Sequence, residues 1–299
     1  MTDHLHTLTS VDMMSLHAAA FKNETAEIFR LLESGADIEA KDERGYTPLH
    51  YAAFENASKA ASLLLENGAD IEAKNADGAT PLCAAVQENA DKVVSLLLEN
   101  GADIAAKGKH GDTPLHVAAL KNFDNVTHLL LANGANIAAK DNFDNTPLHV
   151  AAFVNADKVV SLLLANGADT AAKGEHGRTP LHVAARKNSD KAASLLLEND
   201  ADIEAQDKFG STPLHEAAYG NANKVAFSLL KNGADIAAKA GLGMTPLHAA
   251  AYGDADKVVF ILLKNGANRH AKTHFGIGST PLGVAKKKGY DKVISLLQD

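Results

Sequence analysis

One short string, recurring at a fixed interval, decides most of what this chain can fold into. Thr-Pro-Leu-His begins at Thr47, Thr113, Thr146, Thr179, Thr212 and Thr245, while Thr80 opens Thr-Pro-Leu-Cys and Thr280 opens Thr-Pro-Leu-Gly. The interval is 33 residues from Thr47 to Thr245 and 35 from there to Thr280, because the segment Thr273 to Ser279 carries two extra residues. Counting back 33 from Thr47 reaches Met14, where Ser15, Leu16 and His17 keep a degraded copy. Nine units result, at approximately 9–41, 42–74, 75–107, 108–140, 141–173, 174–206, 207–239, 240–272 and 273–299. Such a period overrides the two domains of about 150 residues that the length alone suggests, and the chain reads as one repeat domain, 1–299.

Each unit carries its own helix signals. A threonine hydroxyl at the N-cap accepts a backbone N–H, and proline at the first helical position gives up a donor that has no partner there anyway. Leu-His-x-Ala-Ala, as in Leu115 to Ala119, then sets one large apolar residue beside two alanines, so adjacent helices approach closely. Asn56, Asn89, Asn122, Asn155, Asn188 and Asn221 follow, a residue type that tolerates the left-handed conformation ending a helix. A second helix is predicted next, for example Asp157 to Ala165, with an acidic first turn and a buried Val159 to Leu164 face. Asn-Gly-Ala-Asp, at Asn67 to Asp70 and Asn100 to Asp103, supplies a glycine for positive φ and leads into a projecting finger. In the glycine slots Asp144 and Asp200 depart from the pattern.

The motif, matched eight times in register, resembles the ankyrin-repeat family across nearly the whole chain. The resemblance implies an all-α fold: a solenoid of stacked helix-turn-helix units with projecting hairpin-like loops. It implies that the motif histidines, His17, His50, His116, His149, His182, His215 and His248, hydrogen-bond within and between loops. It also implies a contact face on the concave surface, made of the first helices and the finger tips. Many ankyrin repeats have glycine where this chain has its asparagines. End units of such a stack must differ from internal ones. Arg30 accordingly stands where Leu63, Leu96, Leu129, Leu162 and Leu195 stand elsewhere, and Lys286 replaces the second alanine in the last unit, so both ends read as caps of a complete solenoid or domain.

Composition narrows the function. The chain is 46% hydrophobic and 22% charged with a mean hydropathy of −0.12, which suits a folded rather than a disordered chain. A net charge of −8 and a pI near 5.9 argue against a nucleic-acid partner, which calls for a basic face. The longest apolar run, Val258 to Leu263, is far short of the roughly 18 residues that span a bilayer, so no direct membrane insertion is expected and the chain reads as soluble. The single Cys83 points to a reducing compartment: the cytoplasm, or a host cytosol if the protein is a secreted bacterial effector. Fourteen histidines invite a metal reading, but seven occupy the motif slot in neighbouring units about 8–10 Å apart, too far to share one ion. His110 and His176 lie two units apart; His4 with His6, and His270 with His274, lack a companion ligand. No nucleophile motif, phosphate loop or carboxylate pair is visible, so neither catalytic residues nor cofactors are expected.

Binding would sit where the units differ. Seven residues after the motif threonine the nine units carry Phe21, Phe54, Gln87, Leu120, Phe153, Arg186, Tyr219, Tyr252 and Lys287. Each ring either packs on the stem of the next finger or anchors a partner, a role that aromatics and arginine commonly take. Finger residues vary as well, with Tyr46, Asp112, Asn145, Arg178, Ser211 and Met244 just before the motif and Phe143, Phe209 and Leu242 near the tips. The expected partner-binding set is Phe21, Tyr46, Tyr51, Phe54, Asp112, Phe143, Phe153, Arg178, Arg186, Phe209, Tyr219, Met244 and Tyr252. Lys41, Lys74, Lys107, Lys140, Lys173, Lys239 and Lys272 recur at one finger position, where surface solubility is the simpler reading than recognition of an acidic partner. The long last finger, Arg269 to Ser279 with Phe275 and Ile277, reads as a docking loop or a tolerated insertion. The expectation is a monomeric, non-enzymatic adaptor for a protein or peptide; the alternative is an inhibitor that occludes an enzyme.

Overall fold

A computed structural model describes residues 16–274 and 280–298, so Phe275, Ile277, His4 and His6 lie outside the described residues. The chain divides into two compact units, at Asn142 and Phe143. The first contains α1 (Leu16–Phe21), α2 (Thr25–Glu33), α3 (Pro48–Phe54), α4 (Ser58–Glu66), α5 (Pro81–Gln87), α6 (Asp91–Glu99), α7 (Pro114–Lys121) and α8 (Asp124–Ala132). The second contains α9 (Pro147–Phe153), α10 (Asp157–Ala165), α11 (Pro180–Lys187), α12 (Asp190–Glu198), α13 (Pro213–Tyr219), α14 (Asn223–Lys231), α15 (Pro246–Tyr252), α16 (Asp256–Lys264), α17 (Pro281–Lys288) and α18 (Asp291–Gln298). All described helices alternate as the repeat predicts. Within each unit first helices pack on first helices (α1–α3–α5–α7; α9–α11–α13–α15–α17) and second helices on second helices.

The core follows the period. The motif leucines Leu49, Leu82, Leu115, Leu148, Leu181, Leu214 and Leu247 are buried, as are the alanine pairs beside them. Leu64, Leu97, Leu130, Leu163, Leu196, Leu229 and Leu262 do the same for the second helices. Alanine at the helix contacts lets backbones close up without voids. Arg30, at the first unit's odd slot, stays outside and pairs with Glu27 at 2.6 Å.

Three polar ladders tie successive repeats together. In the first, the motif threonine presents its N–H to the histidine ring three residues on, as Thr47 does to Nδ1 of His50 at 3.2 Å. With Nδ1 an acceptor, Nε2–H is the donor, and it reaches the carbonyl just before the next motif: His50 to Ala79, His149 to Arg178, His182 to Ser211 and His215 to Met244, all at 2.9–3.0 Å. This is the expected linking role. Burial pushes the pKa of His50 and His215 down and that of His182 to about 4, so these rings are neutral at pH 7.

The asparagines form the second ladder, and it explains why they are not glycine. Asn56, Asn155 and Asn221 adopt positive φ as expected. Each side chain also caps the second helix of the following repeat: Oδ1 of Asn56 accepts from the Val93 N–H at 3.0 Å while its Nδ2 donates to Asp91 at 2.9 Å. Asn155 does this for Ala192 and Asp190, and Asn221 for Val258 and Asp256. An otherwise orphaned helix-start donor is thus satisfied by the previous repeat.

The third ladder corrects the reading of the finger lysines as mere surface charge. Nζ of Lys41 donates to the Lys74 carbonyl at 3.1 Å, that of Lys107 to Lys140 at 2.8 Å and that of Lys173 to Gln206 at 2.9 Å. These lysines link one finger to the next.

Candidate partner-binding face

The expected site residues fall into two groups with different surroundings. In the first unit the rings pack on one another. Phe54 meets Tyr46 edge-on at 5.1 Å and Tyr51 at 6.1 Å, and Phe21 meets Tyr51 at 6.3 Å. The Tyr51 hydroxyl donates to Asp42 at 2.8 Å, and burial with that carboxylate beside it raises its pKa. All four rings are half-buried. Asp112 is half-buried at the base of its finger.

In the second unit the same slot is more open. Phe153 is 47% exposed, Tyr219 38% and Tyr252 43%. Tyr219 and Tyr252 stack at 5.9 Å between centroids. The Arg186 guanidinium lies 3.9 Å from the Tyr219 ring centre, and Nζ of Lys288 lies 4.2 Å from that of Tyr252. The Lys187 ammonium covers Phe153 at 4.3 Å. Two glycines make the stack possible. A Cβ on Gly220 would overlap the Arg186 carbonyl, and one on Gly253 the Tyr219 carbonyl, so any larger residue holds α11, α13 and α15 apart.

Beneath the rings lies a buried charge network. Glu216, on α13, accepts from Arg178 at 3.3 Å and from Arg186 at 3.1 Å. Arg178 also lies 3.8 Å from the fully buried Asp207 carboxylate. The Arg178 guanidinium, expected at the contact face, is therefore occupied in holding the sixth and seventh repeats together. Arg186 is shared between Glu216 and the Tyr219 ring.

Beside this network α13, α15 and their fingers enclose a groove of about 550 Å³, whose walls include Phe209, Tyr219, Leu242, Met244 and Tyr252. Phe209 and Leu242 are 57% and 62% exposed, Phe143 is 54% exposed on its own finger, and Met244 is half-buried. Leu242 holds φ at +63°, a left-handed conformation that costs a non-glycine residue about 1–2 kcal/mol.

The sequence reading missed an apolar set on the second helices. Phe29, Phe227 and Phe260 are 53%, 59% and 52% exposed. They occupy a slot that holds Ser62, Ser95, Ser161, Ser194 and Ser295 in other repeats and His128 in the fourth, and that departure was the available signal. Cys83 is buried where other units have the motif histidine, and burial raises its thiol pKa, which suits packing rather than nucleophilic attack. Among the described residues no three His, Cys, Asp or Glu side chains converge as metal ligands, and no helix is long and apolar enough to cross a membrane.

Comparison with known proteins agrees with the repeat architecture. Family models described as ankyrin repeats (3 copies) match residues 16–108, 104–174 and 170–240, and one described as an ankyrin repeat matches 242–274. The crystal structure of the human ASB11 ankyrin repeat domain is similar, with a TM-score of 0.65 and 29% identity over 72% of this chain and 96% of that one. No curated protein sequence matches the chain.

Proposed function

The chain belongs to the ankyrin-repeat family, and on that premise we propose that it is a non-enzymatic scaffold holding a partner protein on the concave face built by first helices and finger tips. Repeats of this family are in general protein-interaction scaffolds. The observation that carries the reading is the gathering of exposed Phe209, Tyr219, Leu242 and Tyr252 around one groove. These residues sit at positions the repeat leaves variable. Exposed apolar groups collected in one place mark contact sites more reliably than scattered ones.

The test is a comparison of faces. The tagged chain, a Tyr219→Ala/Tyr252→Ala variant and a Phe227→Ser/Phe260→Ser variant are each used to purify bound proteins from the native cell. Partners lost with the first variant and kept with the second support the reading; partners lost only with the second move the contact to the outer helices.

A further inference from the structure

We infer that the groove between the seventh and eighth repeats takes an acidic segment of a partner polypeptide, with an apolar side chain of that segment seated among Phe209, Leu242 and Met244. The inference rests on the reading that partners bind this face, and adds the chemistry of what is bound.

The rings themselves give the first argument. Tyr219 lies between the Arg186 guanidinium and Tyr252, and Tyr252 lies between Tyr219 and the Lys288 ammonium. A cation and the neighbouring ring lie against each ring, which leaves edges and hydroxyls as the parts a ligand would meet. Ring edges carry the positive end of the aromatic quadrupole, and phenol hydroxyls donate. Such a strip favours carboxylates.

Formal charge gives the second. Lys208, Lys286, Lys287 and Lys288 are exposed on the seventh finger and α17. Of the neighbouring carboxylates, Glu216 and Asp207 are buried and turned to Arg178 and Arg186, while Asp254, just past Tyr252, is exposed. Glu175, on the sixth finger, lies 3.5 Å from His176. The chain's net −8 is also unevenly spread: the first unit has 21 Asp and Glu against 11 Lys and Arg, the second 16 against 18.

Leu242 supplies the apolar requirement. Leu242 is 62% exposed and keeps positive φ, where glycine or asparagine would relax the turn. An exposed leucine beside cationic rims calls for a ligand that is apolar at one residue and acidic around it.

The test pans a phage-displayed library of random 12-residue peptides on the full chain, then measures the enriched peptides by fluorescence anisotropy at low and high salt. Sequences rich in Asp and Glu around a Leu, Met or Phe are expected, with affinity falling about tenfold on raising salt and about tenfold in Lys208→Glu/Lys287→Glu. Leu242→Gly is expected to weaken binding severalfold without lowering the thermal midpoint, which separates contact from folding. Enriched peptides that are neutral or basic, yet lose binding in Tyr219→Ala/Tyr252→Ala, overturn the acidic partner and leave the face intact. Peptides that bind this variant as well as the parent overturn the face itself. A single-stranded oligonucleotide that displaces the peptides and binds more tightly makes the ligand a nucleic acid and also overturns the proposal.

Discussion

Acidification strikes the histidine ladder, and His182 shows how far. Its Nδ1 accepts from the Thr179 N–H at 3.2 Å and its Nε2–H reaches the Ser211 carbonyl at 2.9 Å. A proton on Nδ1 removes the acceptor and puts a charge in a buried site. Burial pushes the folded-state pKa down to about 4 from the ordinary imidazole value of 6.5. The unfolded chain therefore binds the extra proton first, and stability present above pH 6.5 is lost as pH falls toward 4. Converted at about 1.4 kcal/mol per pH unit, the loss from this one ring by pH 4.5 is about 2–3 kcal/mol. His50 and His215 shift in the same direction and add to it. Asp157, Asp190 and Asp256 have lowered pKa values, so their contribution is lost at lower pH than that of the histidines, while burial raises the pKa of Glu204, whose protonation offsets part of the histidine loss. Urea unfolding followed by circular dichroism from pH 7.5 to 4.5 measures the effect. The midpoint is expected to fall across this range. His182→Gln is expected to be less stable at pH 7.5 yet to lose less on acidification. A flat profile, or an unchanged slope in the variant, refutes the ladder as the acid-sensitive element.

Cys83→His is expected to stabilise the chain by about 1 kcal/mol through a new bond from Nε2 to the Asp112 carbonyl, the position 29 residues on that its counterparts use; a lower urea midpoint contradicts this. Asn56→Gly, which relieves a φ of +52°, is nonetheless expected to cost about 1 kcal/mol because α6 loses its cap; a neutral or stabilising result in the same assay removes that role. Gly253→Ala is expected to cost about 1–3 kcal/mol by forcing α13 and α15 apart; an unchanged midpoint would show that the contact relaxes freely.

The repeat period made the fold legible, because a residue's register settles both its helix and its burial. Thr-Pro starts, positive φ at Asn56 and the helix Asp157–Ala165 all follow from local chemistry. Apart from the histidine bonds that the resemblance implied, the contacts that cross repeats were not legible. The Arg178–Glu216 pair spans 38 residues, the Asn56 cap 37 and the Lys41 bond 33, and each depends on how closely two units stack. Pairing complementary residues about 33–38 apart would have found them. The slot of Phe54 and Tyr252 was visible as one position, but its two surroundings were not. Tyr46 and Tyr51 enclose the first ring, whereas the second meets Tyr219 and the Lys288 ammonium and stays 43% exposed. Net charge concealed the basic second unit for a similar reason, since a sum over the chain carries no position.

Hydrogen exchange read by mass spectrometry, on the chain alone and with a captured partner bound, tests the binding face most directly. Protection is expected in segments 208–219 and 241–252, with 223–231 and 256–264 unchanged. Protection confined to the outer helices around Phe227 and Phe260, with the groove exchanging as before, contradicts the account.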